Sequence, residues 1–501
     1  MTNINNNSNP SLKAFLFAVL AVFVAPFVSA LPSTASTNLQ TSSGVSTQVS
    51  GPTLTVTAPD KAILNWNAFG SGSDNIGFAD TVAYKLPTSS SSVLNVVSGG
   101  AATTIDGTLT SNGKVYILNP NGIVIGPGGR IEVPSLILSS VDNVFAAQFE
   151  FINSGKLPSE SGIRSASGNI TINGTAILTI DNALFISKDI AINGGLVNGN
   201  LTVNADGAAT IGSAASPFYA AGNFTVNNAS GNTTLGAPTA MVGSNATITV
   251  NGTTGNIVNA AGSSVTARSI AVATGGDVNV SGLNALTLAF TAKNATVTLP
   301  ARDNISVAAN VTGNLSVTGT NAFTIDGLKN SAGNTTIASN GKLTIGAVHV
   351  DSNGNTQFTG SSVVDSKNDV FVYGPTAFTA TAGDVAITKT GHSFGPLSIT
   401  ATANASVYES AAINLNNARA VELALKTNQF FFQTPLTSTL AATKLSLTTG
   451  GNVVLAAGTI ANGLTIVSDG DVDLGRLSLA TNLNNIAPTV TAKGTVTSPA
   501  P

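Results

Sequence analysis

The 501-residue chain is 43% hydrophobic but only 9% charged, and its 20 Lys+Arg nearly balance 23 Asp+Glu for a net charge of -3. With no basic patch and no polybasic run, nucleic acid is excluded as a partner and so is a polybasic membrane anchor; the wealth of Val, Ile and Leu excludes a disordered chain. Cysteine is absent and only His349 and His392 are present, which removes disulfides, thiolate or His-rich metal centres and a Cys nucleophile together, so no cofactor or metal is expected.

In chain order, Lys13 precedes the apolar run Ala14 to Val28, and Val28-Ser29-Ala30 closes it with small residues. A charged start, a short apolar core and a small-residue site predict a secretory signal peptide over residues 1–30, cleaved near Ala30. The run is shorter than the roughly 20 residues of a spanning helix and contains Pro26. No later segment is continuously apolar enough to span a bilayer, so the mature chain is expected outside the cytoplasm without a transmembrane segment.

From about Leu54 onward, apolar residues alternate with Thr, Ser or Asn in short bursts: Leu54-Thr55-Val56, Ile170-Thr171-Ile172, Leu201-Thr202-Val203, Leu343-Thr344-Ile345 and Leu464-Thr465-Ile466. A period of two with β-branched residues predicts strands. Many bursts follow a Gly-Asn or Gly-Asp turn signal, as at Gly199-Asn200, Gly222-Asn223, Gly276-Asp277, Gly313-Asn314, Gly333-Asn334, Gly451-Asn452 and Gly470-Asp471. Several marks are 23 (199 to 222), 20 (313 to 333) and 19 (451 to 470) residues apart, which is one solenoid coil. The prediction is an all-β parallel β-helix, each coil sharing its apolar face with the next. Immunoglobulin-like modules would be equally Thr-rich, but they run to about 100 residues with a buried Trp in each, and this chain has 1 Trp.

The most distinctive stretch is Lys114-Val115-Tyr116-Ile117-Leu118-Asn119-Pro120-Asn121-Gly122-Ile123. It reads as strand, tight turn, strand, with Pro120 presetting φ, Gly122 closing the turn and Asn119 able to bond forward. Upstream lie Ile63-Leu64-Asn65-Trp66-Asn67-Ala68-Phe69, Ile76-Gly77-Phe78 and Ser92-Val93-Leu94-Asn95-Val96-Val97; downstream lies Leu136-Ile137-Leu138-Ser139-Ser140. In this order, behind a signal peptide, the segments resemble the filamentous-haemagglutinin N-terminal domain, the secretion domain of two-partner secretion exoproteins. The resemblance covers roughly Gly51 to Phe149. It rests on Asn119, Pro120, Asn121, Gly122 and Ile123, supported by Trp66, Phe69, Phe78 and Asn95; many members carry Arg where this chain has Val96.

That resemblance implies a right-handed parallel β-helix of the pectin-lyase-like kind with a capped N-terminal secretion domain, here 31–155, followed by a β-helical repeat region over 156–501. It also implies export through an outer-membrane transporter of the Omp85 type in a diderm bacterium, the chain crossing unfolded and folding outside. A lack of cysteine suits that route. The stretch up to Pro501 shows no aromatic-girdled membrane-barrel strands, so a separate transporter is expected.

Enzymatic chemistry has little to draw on. Asp351, Asp365 and Asp369 form the closest loose acidic group, near His349, and read as solvated turn residues; Arg302-Asp303 reads as a surface ion pair. Glycosylation signals at Asn173, Asn245, Asn251, Asn294 and Asn304 read as strand-turn chemistry, and Phe430-Phe431-Phe432 as core padding, although an alternating strand must turn at least one ring outward. The expected function is therefore that of a secreted or surface-retained, non-enzymatic adhesin or envelope component. Its partner outside is a host or neighbour-cell glycan or protein, with adhesion itself implied by the resemblance. A polysaccharide lyase or hydrolase and a contact-dependent toxin carrier are the alternatives; the latter ends in a compact charged effector, whereas the tail after Val467 continues the strand pattern.

Overall fold

The alternation of apolar and polar residues is realised as stacked coils. The computed structural model describes residues 31–70, 76–161, 166–213, 216–236, 239–241, 246–259, 262–367, 370–433, 439–479 and 488–497; the expected signal peptide, Asn245 and Asp369 lie outside them. The chain forms a right-handed β-solenoid of about 18 turns with almost no helix. One ladder shows the stacking. Ile123 pairs with Thr103 on one side and Ile170 on the other, and the column continues through Ile190, Ala209, Thr233, Ile257, Val278, Ala295, Leu315 and Thr335 to Thr356, Thr376 and Leu397. Every one of these residues is buried, while its neighbour along the strand points outward, so each coil hides its aliphatic side only against the next.

Two further columns complete the earlier coils. One runs through Ala62–Trp66, Ser92–Val97, Lys114–Leu118, Ser135–Ser139 and Asn182–Ser187 into the later repeats. The other is an 11-stranded sheet that ends at Leu283–Asn284. Beyond it the strands lengthen and run around corners, the longest being Ile413–Thr427, which pairs with both Leu397–Ala401 and Ala405–Glu409. Apart from one isolated antiparallel bridge that joins Val141 to Ala166, pairing among the described strands is parallel except at the start. There Leu39–Thr41 lies antiparallel on Ala62–Trp66, and Ser46–Ser50 forms a hairpin with Thr53–Thr57. These strands cover the open edge of the first coil, which would otherwise present unpaired backbone groups.

The Gly-Asn marks prove to be ladders along the column. Asn294 Oδ1 accepts the N–H of Asn314, Asn314 Oδ1 that of Asn334, and Asn334 Oδ1 that of Asn355, at 2.8, 2.9 and 2.9 Å. The same bond joins Asn200 to Asn223, Asn256 to Asp277, Asp384 to Asn404 and Asn452 to Asp471. The glycine before several of these marks is required by the coil below. A Cβ on Gly222, Gly333 or Gly470 would stand 2.6, 2.7 or 2.1 Å from Oδ1 of Asn200, Asn314 or Asn452. Amides at three of the glycosylation signals are engaged in similar contacts: Asn251 with Asn227, Asn294 with Asp277 and Asn173 with Asn193.

One element has no counterpart in the period-two pattern. Helix α1 (Val144–Ser154) starts at Asn143, whose side chain accepts the Ala146 N–H, and stops at Gly155, which takes φ 72. It packs Ala147 and Phe151 onto the outward side of the early strands, in a second apolar cluster with Ile63, Leu94, Val96, Tyr116, Leu118 and Ile137. Strand Ser92–Val97 is consequently buried at all six positions, as a strand covered on both faces must be. Two surface expectations are corrected. Arg302 donates to Asn284 Oδ1 at 2.7 Å and forms no ion pair with Asp303. Of the three phenylalanines only Phe431 enters the core; Phe430 and Phe432 flank it outside with stacked rings 5.7 Å apart.

Candidate functional site

The Asn119–Gly122 turn sits at the corner between Lys114–Leu118 and Ile123–Ile125. Asn119 is fully buried and uses its whole amide. Its Oδ1 accepts the Asn121 N–H at 2.9 Å, and its Nδ2 donates to Ala101 O and Thr103 Oγ1 in the preceding coil, each at 3.0 Å. Gly122 N–H closes the turn on Asn119 O at 3.0 Å. Exposed Asn121 reaches back through Nδ2 to Gly99 O at 2.6 Å. Gly122 takes φ 110, and a Cβ there would meet Asn169 O of the next coil at 2.7 Å, so only glycine is accommodated. Half-buried Pro120 offers its carbonyl to Ser167 Oγ at 3.0 Å, and Ile123 fills the core. The corner thus clamps three successive coils.

The supporting residues divide. Asn95, fully buried, accepts from Trp66 Nε1 at 3.0 Å and from Tyr84 Oη at 2.7 Å, and donates to Tyr116 O at 3.1 Å. Burial pushes the Tyr84 hydroxyl far above its ordinary range, and the bond to Asn95 opposes only part of this. Trp66 and Phe69 pack together in the core with centroids 4.9 Å apart. Phe78, in contrast, is 73% exposed, its ring lying over Gly128 on the outside of the coil.

Around the corner, α1 brings features that strand periodicity gave no means of finding. Tyr116 Oη donates to Gly155 O at 3.0 Å. The Glu160 carboxyl, beyond the helix, accepts the Leu157 N–H at 2.6 Å and is raised above its usual pKa by burial. Phe145, Phe149 and Ile152 form an exposed apolar stripe on the helix's outer side. The signal for a covered face was present in Leu136 to Leu138 and in Val93-Leu94 and Val96-Val97 on either side of Asn95, where adjacent apolar residues break the alternation.

The scattered acidic residues do not converge. His349 pairs with exposed Asp351 at 2.8 Å, while the Asp365 side chain is only 3% exposed and pairs with buried His392 at 2.8 Å. Asp365 is therefore no solvated turn residue. Among the described residues no group of three His, Asp or Glu is arranged to hold a metal ion, and no helix is long and apolar enough to cross a membrane.

A capped, right-handed parallel β-helix whose first coils are locked by an Asn-Pro-Asn-Gly corner anchored on buried Asn119 defines the class of parallel β-helix proteins. The family model of the TPS (two-partner secretion) secretion domain matches residues 31–282, just over half of the chain, and the chain belongs to that family, whose members are secreted or surface-exposed. It is 40% identical over 83 residues to a heme/hemopexin-binding protein of Haemophilus influenzae, a match covering 17% of this chain and 8% of that protein. A protein of the same name from the Rd strain is 40% identical over 79 residues, 16% of this chain and again 8% of the relative. Among solved structures, the crystal structure of the HMW1 secretion domain from Haemophilus influenzae aligns over 91% of this chain and 98% of its own, at 16% identity and a TM-score of 0.25.

Proposed function

We propose that the chain is exported through a dedicated outer-membrane transporter of the Omp85 type and works outside a diderm cell as a non-enzymatic adhesin or envelope component. The observation that carries this reading is the Asn119–Gly122 corner, anchored by buried Asn119 within a capped first section of the family's domain. In this reading residues 1–30 are a signal peptide removed near Ala30, and residues 31–155 are the part the transporter reads. The coils up to 282 complete the matched domain, and the repeats from 156 onward form a rod with a neutral Thr/Asn surface. The transporter's periplasmic domains meet the module by strand addition, backbone bonds giving affinity and alternate side chains giving selectivity.

What the rod binds, a surface glycan or protein, is not carried over from the relatives, because the shared segment is 8% of their length. The dispersed acidic residues favour binding over turnover of a glycan. The test is expression in a diderm host with and without a cognate transporter. The reading predicts chain in the medium or on the surface only when the transporter is present, and equal release without it overturns the proposal.

A further inference from the structure

Three ionisable side chains far from the secretion module are buried in three successive later coils. Asp365 ends Val363–Asp365, His392 precedes Ser393–Phe394 one coil on, and Glu409 ends Ala405–Glu409 in the coil after that. His392 and Glu409 are fully buried. His392 Nε2 lies 2.8 Å from Asp365 Oδ2, and the same carboxylate oxygen accepts the Lys389 N–H at 2.6 Å. Glu409 Oε1 accepts the Phe394 N–H at 2.7 Å. Within this group two buried atoms have no hydrogen-bond partner: His392 Nδ1 and Glu409 Oε2.

Glu409 is buried with one carboxyl oxygen unpartnered, so an ionised side chain there is an uncompensated buried charge and the site favours the protonated acid. The contacts stack coil upon coil: Asp365 holds His392 and the Lys389 N–H, and the His392 carbonyl accepts both the N–H and the Oγ–H of Ser410, next to Glu409, at 2.9 and 2.8 Å. We infer that Asp365, His392 and Glu409 form a buried latch, which binds three successive coils together and loosens as the medium turns alkaline.

The direction follows from the two carboxyls. Burial pushes Glu409 up to about 8 from an ordinary 4.5, opposed only by the Phe394 N–H. The folded chain therefore keeps a proton that the unfolded chain releases, and this stabilisation is complete below 4.5 and lost as pH rises through about 8. Asp365 is affected most by burial, which raises it, but the His392 bond and the Lys389 and Thr388 N–H groups outweigh that and hold it below its ordinary 3.8. Its contribution is present above 3.8 and lost in stronger acid. Other charged groups on the packed elements face away: Asp384 accepts the Asn404 N–H on the exposed side, Lys426 Nζ lies 4.9 Å over the Tyr408 ring, and Glu422 pairs with Lys444 at the surface. The latch is tightest in a mildly acidic medium.

Hydrogen exchange read by mass spectrometry on the full chain tests this, since coils of a solenoid open locally. After correction for intrinsic exchange, protection over residues 385–412 should fall about tenfold or more between pH 5 and pH 9, while the coils at 182–211 hold; one pKa unit corresponds to tenfold. Glu409→Gln should flatten that response. An identical pH response in Glu409→Gln, or a fall shared equally by all coils, overturns the latch. Should the variant not fold, infrared spectroscopy of the unaltered chain decides: the latch predicts a buried carboxylic-acid band at pH 7 that vanishes by pH 9, and its absence at pH 7 overturns the inference.

Discussion

Asn294 Oδ1 accepts the backbone N–H of Asn314 in the next coil at 2.8 Å, and it fills the space a Cβ on Gly313 would enter, 2.3 Å away. One side chain thus sets the coil spacing and dictates the residue that follows above it. Stacked amides of this kind are the device by which parallel β-stacks hold identical turns in register.

The pair should therefore couple. Asn294→Ala removes about 1 kcal/mol of hydrogen bonding, and Gly313→Ala forces a steric clash worth about 2 kcal/mol. In the double variant the second cost should shrink, leaving only the approach to the Lys293 carbonyl at 2.9 Å. A double-mutant cycle on local hydrogen-exchange stability measures the coupling; strict additivity would show that the amide does not occupy the glycine's space.

Asn95 makes a different prediction. Asn95→Leu strands the Trp66 N–H, the Tyr84 hydroxyl and the Tyr116 carbonyl inside the first coils, at about 1–3 kcal/mol for each unsatisfied group. Because Trp66 is the one tryptophan of the chain, its fluorescence reports this region alone. The expected outcome is a clear drop in the urea midpoint of the Trp66 transition while the later coils, followed by hydrogen exchange, are unchanged.

Phe431→Ala should cost about 3–5 kcal/mol, as truncation of a buried aromatic does, whereas Phe430→Ser should change stability by about 0.5 kcal/mol or less. Thermal unfolding with exchange readout over 413–433 distinguishes them. The contrast follows from position: Phe431 is 1% exposed and Phe430 48%.

A pH effect is expected at Asp326, which the Lys367 ammonium, 2.6 Å away, holds below its usual pKa, with further help from the Ala347 N–H. A lowered pKa means stabilisation present above 3.8 and lost as pH falls below it. Asp326→Ala should cost about 1 kcal/mol at pH 7, and the cost should shrink towards pH 3. Exchange of the amides at 343–350 at the two pH values checks this.

The coil length and the strands were legible because inward and outward residues alternate so strictly, as in Leu343-Thr344-Ile345, and because the ladder places Gly-Asn or Gly-Asp at many of the repeats. The Asn119 turn was legible from turn chemistry alone. Helix α1 was not, since its signal is tertiary: Asn143 and Gly155 are ordinary cap residues, and the helix exists where Leu94, Val96 and Ile137 need a cover. The outward position of Phe78 and the burial of Asp365 also escaped a sequence reading, because neither rim packing over Gly128 nor a partner 27 residues away leaves a local pattern.

The central claim is that export information resides in the first coils and not in the rod. It is tested most directly by comparing, beside a cognate transporter, the fraction of chain found outside the cell for Asn119→Ala and for Asn314→Ala, which remove one amide each. Retention of the first variant with release of the second is the predicted result; equal release of both would contradict it.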